Sequence, residues 1–65
     1  MNHIEVEGKV YQIKGTRAKS CRLAVEQHTG KKASGDAEFI KFDQHGVIYA
    51  VKVEDVVYYV SARSI

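Results

Sequence analysis

The sequence predicts a small all-β protein, a curved antiparallel sheet or partly closed barrel made of an N-terminal hairpin and a C-terminal three-stranded meander. Two observations predict it. Between Val47 and Val60 only Lys52, Glu54 and Asp55 are not apolar. Successive strand side chains point to opposite faces. Val47, Tyr49, Val51 and Val53 therefore fill one face, and Ile48 and Ala50 keep the other dry. Beyond Glu54-Asp55, Val56, Tyr58 and Val60 share a face, with Val57 and Tyr59 on its reverse. The second observation is the brevity of the breaks at Glu7-Gly8, Gln44-His45-Gly46 and Glu54-Asp55. Connections this short join antiparallel neighbours, because a parallel crossover needs a dozen residues or more.

The first element is a hairpin across Ile4 to Ile13, in which two β-prone runs flank Glu7-Gly8 and the glycine supplies positive φ to a tight turn. Lys14-Gly15-Thr16 is its exit. Arg17 to His28 admits two readings. As a helix, it has Thr16 as N-cap, Gly30 just past its C-terminus and good helix formers in Ala18, Arg22, Leu23, Ala24 and Glu26. At about 100° per residue, however, Ala18, Cys21 and Val25 share a face that Leu23 opposes. As a strand, Cys21, Leu23 and Val25 point one way together. The strand reading buries the largest apolar residue and is favoured. The alternative is an α+β protein with one helix at 17–28 packed on a five-stranded antiparallel sheet. Thr29 to Asp36 is a loop by composition, Ala37 to Asp43 a strand around Phe39, Ile40 and Phe42, and the strands 47–53 and 56–62 complete the meander.

The 65 residues are read as a single small globular domain, near the lower limit for independent folding. A hydrophobic share of 45% places it among globular rather than disordered chains. Cys21 is the only cysteine, so no internal disulfide staples the fold. No run approaches the roughly 18 apolar residues of a membrane span. The start, Met1 to Glu7, lacks the basic region and apolar core of a signal peptide. A cytoplasmic protein with a reduced thiol and no membrane partner is the expectation.

Catalytic chemistry finds little support, and a non-enzymatic protein without metal or cofactor is expected. His3, His28 and His45 match no helix-borne metal pair, and Cys21 has no base at a recognisable spacing. His28 reads as a loop-edge residue and His45 as a turn residue. Glu5 and Glu7 read as a solvated strand face, and Asp36, Glu38 and Asp43 do not form a calcium loop. Thr29-Gly30-Lys31-Lys32 lacks both the upstream glycine and the following hydroxyl of a phosphate-binding loop.

Charge says more. Residues 14–32 carry Lys14, Arg17, Lys19, Arg22, Lys31 and Lys32 against Glu26 alone, although the whole chain is only +2. Concentrated positive charge is a footprint for phosphates or for an acidic protein surface. Tyr11, Tyr49 or Tyr59 on neighbouring strands could stack unpaired bases. The first functional expectation is thus a small binding module for nucleic acid or an acidic partner, using the six cations with Tyr11. The second is a protein-interaction or regulatory protein, a homodimer being the simplest form, that docks an apolar sheet face through Val57 and Tyr59. The 17–28 element divides them. A strand there leaves Val57 and Tyr59 as a contact surface; a helix makes the two-faced strands the middle of the core and moves function to the basic segment.

Overall fold

The structure, a computed structural model, describes residues 2–64. Its elements are β1 (Asn2–Val6), β2 (Lys9–Gln12), α1 (Arg17–Thr29), β3 (Glu38–Phe42), β4 (Gly46–Val53) and β5 (Val56–Ser64). The strands form one open antiparallel sheet of order β2-β1-β5-β4-β3. The N-terminal hairpin and the C-terminal meander stand where the sequence puts them. The first and last strands lie side by side, from Asn2 opposite Ser64 to Val6 opposite Val60. Glu7 and Gly8 both take positive φ, 48° and 84°, as a two-residue hairpin turn matched to strand twist demands.

Of the two readings of 17–28, the protein takes the helix. Thr16 caps it, its Oγ1 accepting the Lys19 N–H at 3.2 Å. Gly30 ends it in the left-handed region at φ 74°, and its N–H donates to the Glu26 carbonyl at 2.9 Å. Ser20 ties the helix to the end of the hairpin: its Oγ accepts the Lys14 N–H and donates to the Lys14 carbonyl, both at 2.8 Å. The premise of the strand reading, burial of Leu23, does not hold, since Leu23 is 43% exposed. Burial falls instead on the small residues Ser20, Cys21 and Ala24 together with Val25. Small residues on that face let the helix axis approach the sheet closely.

The core lies between α1 and one face of the sheet. Ile4, Val6, Val51, Val53, Val60 and Ala62 form its floor, and Cys21, Ala24 and Val25 its roof. The register opposes Val47 to Ala62, Tyr49 to Val60 and Val51 to Tyr58, so the inner rows of β4 and β5 face α1 together. The reverse face is not core. A single helix covers one side of a sheet, and no described element packs on the other. The expectation that a helix at 17–28 would absorb both faces is therefore corrected: Val57 and Tyr59 remain 46% and 66% exposed.

Candidate functional site

The six cations of residues 14–32 do not converge. Arg17, Lys19 and Arg22 ride on α1, whose 13 residues span about 20 Å, with Lys14 before its start and Lys31 and Lys32 past its end. Two are matched internally. Arg22 lies 3.5 Å from Glu26 and 3.3 Å from Asp36, and Lys31 Nζ lies 2.8 Å from Glu54. The Glu54 carboxylate beside it raises the Lys31 pKa. Lys14, Arg17, Lys19 and Lys32 are exposed, and no carboxylate among the described residues pairs with them.

The tyrosines separate from most of this charge. Tyr11, Tyr49 and Tyr58 are half-buried and pack against the core cluster. Tyr59 projects from the central strand β5 on the reverse face. The most exposed tyrosine and the helix-borne cations are thus on opposite sides of the sheet.

Tyr11 joins the helix end through its hydroxyl. Its hydroxyl lies 2.9 Å from His28 Nδ1, and His28 Nε2 lies 2.8 Å from Glu7 Oε1. With a neutral ring, the phenol donates to Nδ1 and Nε2–H donates to the carboxylate. His28, in the last turn of α1, also meets Tyr58 edge-on at 6.3 Å. This chain links the β1–β2 turn to the helix end. It also explains why a glutamate occupies a left-handed turn position that Asn or Gly would take at lower cost. Sequence reasoning made His28 a loop-edge residue and Glu7 part of a solvated face; nothing local to either marks the contact, which joins residues 21 apart.

The bare face has a definite pattern. Its rows, read across the register, run Gln12-His3-Arg63, then Val10-Glu5-Ser61-Ile48-Lys41, then Tyr59-Ala50-Glu38, then Val57-Lys52. One end is polar: Arg63 Nε lies 2.7 Å from Glu5 Oε2, which also contacts His3 at 3.3 Å. The centre is apolar, with Tyr59 and Val57 standing beside half-buried Ala50 and Ile48.

The edge strand β3 adds a second apolar surface that the sequence did not reveal. A bulge between Phe39 and Lys41 places Ile40 out of register. Residues three apart on a regular strand face opposite ways. The extra residue turns Phe39 and Phe42 to the same side, opposite Tyr49 and Val47, with ring centroids 5.2 Å apart. Every residue of β3 is exposed, and Phe42 reaches 74%.

Cys21 is fully buried, and burial pushes its thiol up to about 11, so a thiolate is not available at neutral pH. Among the described residues no group of three or more His, Cys, Asp or Glu side chains could hold a metal ion. No described helix is long and apolar enough to cross a membrane. No protein-family model, curated protein or solved structure matches the chain.

Proposed function

We propose that this protein is a non-enzymatic interaction module that works as a homodimer, two copies stacking their bare sheet faces through Tyr59 and Val57. One observation carries the reading: a five-stranded sheet with a single covering helix leaves Tyr59 standing 66% exposed on its central strand. An apolar centre ringed by Lys41, Lys52, Glu5, Glu38 and Arg63 has the composition of an interface, with a dry middle and a charged rim. A two-fold pairing lets the same patch cover itself, which is the commonest closure for small proteins.

Sedimentation equilibrium tests this directly. The wild type should be dimeric at micromolar concentration, and Tyr59→Asp should be monomeric with an unchanged circular dichroism spectrum. A wild type that stays monomeric at high micromolar concentration, or a dimer indifferent to Tyr59→Asp, defeats the reading.

The unpaired cations Lys14, Arg17, Lys19 and Lys32 favour a second reading, attraction of a polyanion to the helix side. Phosphate contacts release counterions, so such binding must weaken steeply with salt. Charge reversal at Arg17, Lys19 and Lys32 should abolish it. Tight binding that survives both conditions excludes it.

A further inference from the structure

A groove of about 650 Å³ runs between the edge strand β2 and one flank of α1, lined by Val10 and Gln12 on one side and Ser20, Leu23, Ala24 and Gln27 on the other. We infer that this groove binds an extended peptide segment as an added strand on β2, with a carboxylate of the peptide directed to Lys14.

Backbone chemistry comes first. Val6 and Lys9 close the two-residue Glu7-Gly8 turn, and Ile4 stands opposite Tyr11. In a hairpin of this type the closing pair exchanges hydrogen bonds, and the pattern then alternates along the ladder. Lys9 and Tyr11 therefore turn their N–H and C=O groups toward β1. Those of Val10 and Gln12 turn outward, off the sheet edge. These two residues line the groove. An outward row of unpaired donors and acceptors is a template for another strand, and recognition by strand addition draws its affinity from such main-chain bonds.

The opposite wall supplies side-chain contacts. Leu23 and Gln27, four residues apart, form an exposed flank of α1 beside the buried Ser20 and Ala24 of its core face. Leu23 is thus the apolar wall of the groove, which accounts for the one large apolar residue of α1 left outside the core. Along an added strand, alternate side chains would meet Leu23, and those between would point away. Charge then sets the polarity of the segment. Two charged side chains line the groove, Lys14 and Glu26. Glu26 is already engaged by Arg22 at 3.5 Å and by the Ala33 N–H at 2.8 Å, whereas Lys14 is exposed and pairs with no carboxylate among the described residues. The remaining free charge is a cation at the end of β2, and it selects a carboxylate.

The inference rests on the outward backbone of β2 and on the helix flank, not on Tyr59 and Val57, so its fate is separable from that of the dimer. The probe is a displayed library of random seven-residue peptides, followed by synthesis of the enriched sequence. Enriched peptides should alternate apolar with polar residues and carry an acidic group at one end. Binding should slow amide exchange at Val10 and Gln12 at least tenfold. Leu23→Lys should weaken affinity at least tenfold, and so should Val10→Pro, which removes an outward N–H and no ladder bond. Lys14→Glu should erase the acidic preference. Tyr59→Asp should leave peptide affinity unchanged while it dissolves the dimer. A library that yields no binder, or a binder that leaves Val10 and Gln12 exchange untouched, overturns the inference.

Discussion

The two faces of the sheet are cut from the same strands, yet they differ in burial and composition. Under α1 the rows read Ile4-Ala62-Val47 and Val6-Val60-Tyr49; on the reverse they read His3-Arg63 and Glu5-Ser61-Ile48. The inner face carries apolar or aromatic side chains in every strand it crosses. The outer face is apolar where Tyr59, Val57, Ala50 and Ile48 meet and again at Val10 on the edge strand β2, with charged residues around the central cluster. Periodicity alone does not separate a closed face from an open one, because both alternate with period two. The separation appears when rows are read across strands. Buried apolar packing is concentrated on one side, and the other side is left open.

The sharpest test of that division is a cavity on the covered face. Ile4 is fully buried on β1, opposite Ala62. Ile4→Ala should lower unfolding free energy by about 3 kcal/mol in chemical denaturation, the sum of lost transfer energy and an unfilled cavity. A small domain holds only about 5–15 kcal/mol in total, so the variant should be visibly frayed at room temperature. A loss under about 1 kcal/mol would mean that the core is not centred beneath α1.

A second test uses the roof of the same core. Burial holds the Cys21 thiol in its protonated form, its folded pKa being about 11 against 9.0 when free. A raised pKa contributes stability in full below the unfolded value and loses it as pH climbs through the folded one. Stability attributable to Cys21 should therefore be constant up to about pH 9 and fall toward pH 11, by at most about 3 kcal/mol at 1.4 kcal/mol for each unit. Lysines and tyrosines titrate in the same range, so the measurement is the difference between wild type and Cys21→Ala from pH 8 to 11. Equal alkaline slopes in the two proteins would show that the thiol is not desolvated.

Much of the architecture was legible in the sequence, and the unread parts share a cause. The Glu7-Gly8 hairpin and the meander read at 37–62 follow from alternation and turn chemistry, which are local. The nature of 17–28 was not decidable by the same means. Its helix buries Ser20, Cys21 and Ala24, residues too small to announce a core face, and leaves Leu23 at the groove. The caps Thr16 and Gly30 were the correct signal, and apolar patterning argued against them. The β3 bulge was likewise invisible, because it exists only in the register with β4. The Glu7–His28–Tyr11 chain depends on helix and hairpin meeting in space. Of the residues singled out for function, Val57 and Tyr59 do lie together on the bare face, whereas the six cations are strung along the helix side and two are matched by carboxylates.

The smallest expected effect is the most diagnostic for the open face. Tyr59→Thr keeps a strand-favouring residue opposite Ala50 while removing the exposed ring. In a dilute monomer, where that ring packs on nothing above it, the change in stability should stay within about 0.5 kcal/mol. Any dimer adds a concentration-dependent increment, because association stabilises the folded state by mass action. The wild-type melting temperature should therefore rise with protein concentration, and that of Tyr59→Thr should not. The two curves converge on dilution if the ring serves only a contact between molecules. A deficit that persists undiminished at the lowest concentration would place Tyr59 within the fold's own packing, and the contrast between the two faces would be one of degree.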